Sequence, residues 1–355
     1  MHDLALYRKY RPKSFDEVLG QDHIVDVLES SVDTNKVSHA YLFVGTRGTG
    51  KTSVARIFAT SIGVSTNDLY EIDAASNRGI EDIKELRDGA RVLPFDSKYK
   101  VYIIDEVHML SKDAWGALLK ILEEPPKHVI FILATTEFHK VPETIISRCQ
   151  VFVFKKASDA ILKKMLVDVA KEENFDLDGG SAELLAILGD GSFRDALGEL
   201  QKVLNFTKGK KIKREDVEKI TGAPKAVLVN DFISAIAEKN IEKGIMTVRK
   251  VVEANLDMKL YFKLIIEKFR VAIIMRYAPK LFKDDPSTTL RAGMAGDLGE
   301  SDLKFLKELV KTDKESILRS PALAILLEQY QNIDNAFIAE LPLELALVKI
   351  LGEKN

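Results

Sequence analysis

Residues 41–52 read YLFVGTRGTGKT. The first four are bulky and apolar without alternation, which predicts a strand buried on both faces of a parallel sheet. Gly45-Thr46-Arg47-Gly48-Thr49-Gly50-Lys51-Thr52 then follows the pattern G-x-x-x-x-G-K-[ST], and Val54, Ile57, Phe58 and Ile62 continue at helical spacing. Strand, glycine-rich turn and helix in that order are the setting a phosphate-binding loop needs. The glycines let successive backbone N–H groups turn inward on a triphosphate, and the helix N-terminus adds partial positive charge. On this reading Gly45, Thr46, Arg47, Gly48, Thr49, Gly50 and Ser53 line the nucleotide. Lys51 reaches its β- and γ-phosphates, and the Thr52 hydroxyl ligates Mg2+. The competing reading is a glycine-rich turn that happens to contain a lysine.

Working outward, Leu69–Asp73, Val101–Asp105, Val129–Ala134 and Val151–Phe154 are runs of the same kind, separated by helical patterns. Strand–helix alternation over residues 1–155 predicts a doubly wound α/β domain. Residues 101–106 read VYIIDE. Four apolar residues bury a strand and deliver Asp105 and Glu106 at its C-terminal end, where open parallel sheets bind ligands. Asp105 suits a Mg2+ shell, and Glu106, on the opposite pleat, suits a general base that polarises an attacking water. In isolation such a pair is an exposed strand terminus; beside the loop it completes a nucleoside triphosphatase site. No guanine-reading N-K-x-D occurs, which favours ATP over GTP.

Past Lys155 the strand signal disappears. Ile161, Leu162, Met165, Leu166 and Val169 form one helical stripe; Leu184, Leu185, Ile187 and Leu188 form another. Thr221-Gly222-Ala223-Pro224 reads as a break, after which Phe262, Ile265, Ile266, Phe269 and Ile273 share a helix face, as do Leu343, Leu347, Ile350 and Leu351. Residues 208–214 read as a solvated basic loop and 283–300 as a loop or disordered segment. Three domains follow, at 1–155, 156–222 and 223–355, within the two or three that 355 residues favour. With 52 basic and 54 acidic residues the net charge is −2, so bulk positive charge does not bind nucleic acid here. The single cysteine, Cys149, excludes an internal disulfide and is compatible with a reducing cytosol. No signal peptide or membrane span is read, so the expected location is cytoplasmic.

These residues resemble the AAA+ clamp-loader family of bacterial replication. The likeness is carried by LYRKYRPKSFDEVLGQ (6–21), the phosphate loop, EIDAASNRGI (71–80), KVYIIDEVHMLS (100–111), ALLKILEEPP (117–126), ILATTEFHKVPETIISRCQ (132–150) and GSFRDAL (191–197). It implies an AAA+ P-loop NTPase domain, a small helical lid and an all-α collar. It also implies an ATP-hydrolysing subunit that uses Mg2+ and loads a sliding clamp on primed DNA. The implied partners are delta and delta-prime subunits, further copies of the same subunit, the clamp, and primer-template DNA held without sequence preference; no membrane is implied. The chain shows no polymerase carboxylate constellation.

The resemblance assigns further residues. Thr135 or Thr136 matches the polar sensor beside the carboxylates, with a strand-terminal cap as the alternative for each. Arg148 matches the arginine presented in trans to a neighbour's ATP; its alternative is a surface arginine after a short helix. Arg194 matches a second sensor. Independently, Gly191-Ser192 reads as a turn plus N-cap with Asp195 closing a capping box, so Arg194 sits in a first helical turn, where a cation opposes the helix dipole unless an anion faces it. Tyr7, Arg8, Tyr10, Arg11 and Pro12, with Val18-Leu19-Gly20, match the segment that wraps adenine. Lys84, Arg87, Arg91 and Lys112 are candidates for tracking DNA phosphates, against the plainer reading of a solvated face. Glu123, Glu124 and the two prolines after them read as a helix end without chemistry.

Two departures stand out. Related ATPase subunits carry a four-cysteine zinc module before the EIDAASN strand; here GVSTND (63–68) takes its place, and one cysteine cannot supply thiolate ligands. The chain also ends at Asn355 without the long proline- and charge-rich extension of longer relatives, and so is similar to a short form. The rival readings are a branch-migration motor, an archaeal-type small subunit, and a catalytically silent scaffold of the delta-prime kind.

Overall fold

The computed structural model describes residues 4–77, 79–207, 209–282, 300–313 and 317–352. The five apolar runs form the strands β1 (Ala40–Val44), β2 (Leu69–Asp73), β3 (Lys100–Asp105), β4 (Val129–Thr135) and β5 (Gln150–Val153). They pair in parallel in the order β2-β3-β4-β1-β5. Parallel neighbours require crossovers. These are supplied by α3 (Lys51–Ser61), α4 (Ile80–Ala90), α5 (Lys112–Glu123) and the short α6 (Glu143–Ile146), while α1 (Leu6–Lys9) and α2 (Asp22–Asp33) precede the sheet.

Side chains alternate across each strand, so the sheet carries two cores. On one face Leu42, Ile104, Phe131 and Leu133 pack with Ile83 and Leu86 of α4 and Leu118 and Leu122 of α5. On the other, Tyr41, Phe43, Ile103 and Ile132 pack with Leu28 of α2 and Val54 and Phe58 of α3. The inner strands β1, β3 and β4 are buried almost throughout, as continuous apolar runs should be. The expectation of burial on both faces fails for β2 and β5, where Tyr70 and Val153 are 40% and 58% exposed. Both are edge strands with a neighbour on one side only.

The chain divides into two compact units, Met1–Leu162 with Gly189–Gly198, and Lys163–Leu188 with Glu199–Asn355. The turn at 189–198 joins the first unit through the Phe193 N–H, which donates to the Gly48 carbonyl at 3.0 Å, and the Ala157 N–H, which donates to that of Gly191 at 3.1 Å.

The second unit is mostly helical. Its helices include α7 (Asp159–Glu172), α8 (Gly179–Gly189), α9 (Phe193–Phe206), α10 (Arg214–Thr221), α11 (Ala226–Ala237), α12 (Ile241–Glu253), α13 (Met258–Tyr277), α14 (Glu300–Thr312), α15 (Ser320–Gln331) and α16 (Leu341–Gly352), of which α7–α9 run partly through the first unit. Gly222, with φ +73°, caps α10 at the expected break. Strands are not wholly absent past Lys155: Asp176–Leu177 and Lys211–Ile212 make a two-stranded parallel pair, β6 and β7, too short to register as a pattern. It corrects the solvated reading of the basic stretch, since Ile212 is buried and Arg214 opens α10; Lys208 lies outside the described residues. The 283–300 stretch also lies outside them, save Glu300, the first residue of α14. Among the described residues no helix is long and apolar enough to cross a membrane.

Candidate active site

The three inner strands end side by side, and every chemical group the loop reading calls for hangs from those ends. From β1 the chain turns at Gly45, whose N–H donates to the Thr135 carbonyl of β4 at 3.2 Å. Gly48 has φ +76°, and a Cβ there would lie 1.9 Å from Ser192 Oγ, so no side chain fits. Lys51 opens α3 yet is only 6% exposed; its Nζ donates to the Gly45 and Thr46 carbonyls at 2.7 and 3.0 Å. Thr49 is buried, its Oγ1 donating to the Thr46 carbonyl at 2.9 Å. Among the described residues, the N–H groups of Gly48, Thr49, Gly50, Lys51 and Thr52 meet no acceptor. Unpaired donors at a helix N-terminus beside a buried ammonium form a cradle suited to phosphate. Arg47 is exposed and Ser53 half-buried in the first turn of α3.

Asp105, the last residue of β3, accepts from Thr52 Oγ1 at 2.7 Å through Oδ2 and from the Glu106 N–H at 2.9 Å through Oδ1. A hydroxyl and a carboxylate already together are the oxygen pair that a Mg2+ ion with several waters takes from a protein, so these residues fit the ion. Glu106 sits at φ 48°, ψ 43°, a left-handed conformation that costs a non-glycine residue about 1 kcal/mol. Its Oε2 accepts from Thr136 Oγ1 at 3.0 Å. Thr135 is fully buried; its Oγ1 accepts the Glu137 N–H at 3.0 Å and lies 3.0 Å from His108 Nδ1. Thr135 therefore caps the strand end, whereas Thr136 meets the carboxylate.

His108 was not among the residues expected here. It follows Glu106 on a single 3-10 turn, Val107–Met109, and its side chain is 6% exposed. Its Nδ1 lies 3.4 Å from Glu106 Oε2 and its Nε2 3.4 Å from Glu137 Oε1. The only sequence signal was its place in DEVH. The Lys140 ammonium, bonded to Glu137, holds that carboxyl below its ordinary value against the desolvation it suffers.

Cations crowd the phosphate end. Burial lowers the Lys51 ammonium; Glu106 and Asp105 oppose that shift and Arg194 adds to it. Burial also lowers the Arg11 guanidinium, aided by the charges of Arg56 and Arg194. An anion among them relieves both. Arg194 lies with its guanidinium 5.4 Å from the Tyr7 ring centroid. Ser192 caps α9 by accepting the Asp195 N–H at 3.2 Å. The expected capping box is only half made, because the Ser192 N–H donates to the Gly189 carbonyl at 2.8 Å instead. In the N-terminal strap, Tyr10 is half-buried with Lys9 Nζ over its ring, and Val18 packs against the core face that α2 and α3 cover.

Arg148 is not brought to this cluster. Its Nη2 donates to Glu123 Oε1 at 2.9 Å and its Nη1 to the Thr144 carbonyl at 2.7 Å. Glu123, read as a bare helix end, thus has a partner. Burial pushes the neighbouring Cys149 thiol up to about 12, so it is no nucleophile at neutral pH. Of the DNA candidates, Lys84 and Lys112 are exposed, Arg91 follows the end of α4, and Arg87 pairs with Asp88 at 3.0 Å. At the end of the GVSTND stretch, buried Asp68 accepts the N–H groups of Phe95, Asp96 and Ser97 at 2.6, 2.8 and 2.8 Å.

A family model described as DNA polymerase III, delta subunit, matches residues 20–75 and 64–158. DNA polymerase III subunit tau of Bacillus subtilis is 41% identical over 298 residues, 78% of this chain and 53% of that protein. Subunit gamma of Buchnera aphidicola subsp. Baizongia pistaciae is 33% identical over 301 residues, 79% of this chain and 81% of that protein. The chain spans about half the length of the Bacillus relative and 34% of that of the Mycoplasma pneumoniae gamma/tau subunit. The Thermotoga maritima RuvB Holliday junction branch migration motor shares the AAA+ fold, with a TM-score of 0.52 and 24% identity over 66% of this chain and 80% of that one. Fold likeness alone does not show the family. Sequence does: with the match to the Buchnera subunit running through most of both proteins, this chain belongs to the DNA polymerase III gamma/tau subunit family.

Proposed function

We propose that this chain is an ATP-hydrolysing subunit of a clamp loader, acting with delta and delta-prime subunits and further copies of itself to place a sliding clamp on primer-template DNA. The observation that carries the reading is the junction of β1, β4 and β3, where the unpaired loop donors, the Thr52–Asp105 bond and the Thr136–Glu106 bond meet. Lys51 and the N–H groups of Gly48–Thr52 hold the phosphates in the loop that starts at Gly45; Tyr10, Arg11 and Val18 offer aromatic and aliphatic surface to the adenine ring. Thr52 and Asp105 hold Mg2+, which when bound neutralises charge on the phosphate oxygens.

Glu106 accepts the proton of the water that attacks the γ-phosphorus, and its bond to Thr136 supports reading Thr136, of the two threonines, as the sensor. Arg194, stacked on Tyr7, turns to the γ-phosphate when nucleotide is present. Arg148 serves a neighbouring copy's site, a reading supported by its having partners away from its own loop. Residues 156–222 act as lid and 223–355 as collar, and Lys84, Arg91 and Lys112 face DNA phosphates in the assembly. A reducing cytoplasm suits the lone thiol.

The test is steady-state ATP hydrolysis by the purified chain, alone and with clamp, partner subunits and primed DNA. Turnover is expected to be slow alone and strongly stimulated by the full set. No turnover under any combination would leave the scaffold reading standing.

A further inference from the structure

The Glu106 carboxylate is bonded on one side and bounded on the other, and only the first belongs to the machinery described so far. Thr136 donates to its Oε2 from β4. On the other side stands the edge of a buried imidazole, His108 Nδ1, 3.4 Å from the same oxygen and 3.0 Å from Thr135 Oγ1. Thr135 Oγ1 already accepts the Glu137 N–H, so its own hydrogen is free to point at Nδ1. The ring proton then belongs on Nε2, which faces Glu137 Oε1 at 3.4 Å. Glu137 is itself anchored through Oε2, which Lys140 Nζ meets at 2.7 Å and His139 Nε2 approaches to 3.6 Å. The ring is thus fixed at both nitrogens by the chain that leaves β4, and its position sets how far the Glu106 carboxylate swings. That carboxylate hangs from a left-handed residue with no regular element of its own to fix it.

We infer that His108 is a positioning residue for the hydrolytic carboxylate. Packed against the end of the sensor strand, it bounds the swing of the Glu106 carboxylate on the side away from Thr136, so that base and sensor keep one geometry. The inference rests on the reading of Glu106 as the proton acceptor. It concerns orientation and does not require His108 to touch nucleotide or to titrate. A misplacement of about 1 Å at a reacting group costs about a hundredfold in rate, whereas ground-state binding of ATP does not pass through Glu106.

The experiment compares wild type, Glu106→Gln, His108→Ala, His108→Asn and His108→Gln in the assembled loader with clamp and primed DNA. The readings are kcat, KM for ATP, and Kd for a non-hydrolysable ATP analogue. His108→Ala is expected to lower kcat about 10- to 100-fold, with KM and Kd within about twofold of wild type. Asn places a polar atom where Nδ1 stands and is expected to restore most of the rate; Gln, which reaches toward the Nε2 position, is not. In the Glu106→Gln background, adding His108→Ala should cost nothing further, because the two act as one unit.

If Glu106→Gln hydrolyses ATP at a near-normal rate, the base assignment itself is wrong. If Glu106→Gln is slow but His108→Ala keeps its kcat within about twofold, the base stands and the positioning role falls. Should His108→Ala fail to fold, the Asn and Gln variants decide the matter: equal rates in both, or Asn slower than Gln, overturn the inference.

Discussion

Thr135 and Thr136 are neighbours with the same side chain and opposite surroundings. Thr135 is sealed inside and is the acceptor for a backbone N–H, while Thr136 spends its hydroxyl on Glu106. Replacing Thr135 with Val keeps the shape but orphans the Glu137 N–H, and should cost about 1–3 kcal/mol of stability in a denaturant titration. Thr136→Val should leave stability within about 0.5 kcal/mol and lower kcat instead. The reverse pattern would exchange their roles. The sequence alone left the two equivalent, because both stand at the end of one apolar run and their difference is which pleat meets a neighbour. The loop residues and Asp105 were legible, since adjacent spacing dictates their geometry. His108, and the pairing of Glu123 with Arg148, were not, because each depends on chain segments that only folding brings together.

Among elements, the strands were readable to within a residue or so at each end, because unbroken runs of branched and aromatic residues have no other comfortable setting. What the pattern missed is instructive: edge strands that expose side chains, and a two-residue pair whose burial comes from packing around Ile212. In the link between α3 and β2 a buried carboxylate is tied down by backbone donors. Burial by itself would raise the Asp68 carboxyl; the N–H donors of Phe95, Asp96 and Ser97 outweigh it and hold the group at about 2, below its ordinary 3.8.

Because the folded value is depressed, this stabilisation is present above about pH 4 and is lost as pH falls through about 2. Asp68→Ala should cost about 1–3 kcal/mol at neutral pH, seen as a lower melting temperature, and the deficit should shrink toward pH 2. A deficit unchanged at low pH would show that packing, not the charged acceptor, matters there.

At the scale of the whole molecule, the second unit closes around a buried charge network. Asp302 receives Lys268 Nζ at 2.7 Å and Arg214 Nη1 at 2.9 Å, and Lys268 also donates to Asn230 at 2.6 Å. Burial raises Glu183 nearby to about 8 against the pull of Arg214, with Asp302 adding to the rise. The network joins α10, α11, α13 and α14 across the break at Gly222, so helices on either side of it share one core. Asp302→Ala leaves the buried Lys268 ammonium without its carboxylate, while Arg214 keeps Glu218 at 3.1 Å, and should cost about 3–5 kcal/mol by chemical denaturation; a loss below about 1 kcal/mol would mean solvent reaches Lys268.

Under the proposed function, the role of Arg148 shows only in the assembly. Arg148→Ala should leave analogue affinity of the isolated chain unchanged and lower turnover of the assembled loader about a thousandfold. Equal losses in chain and assembly would argue for a role within its own subunit.

The central claim is that the Gly45–Thr52 loop holds a nucleoside triphosphate through its bare N–H groups and the Lys51 ammonium. The direct measurement is calorimetric titration of the full chain, wild type and Lys51→Ala, with a non-hydrolysable ATP analogue and Mg2+. Wild type should bind one analogue per chain, and Lys51→Ala should bind at least about a hundredfold more weakly, as expected for removing charge-assisted bonds to two phosphates. Equal affinity in the two proteins, or none in wild type, would contradict it.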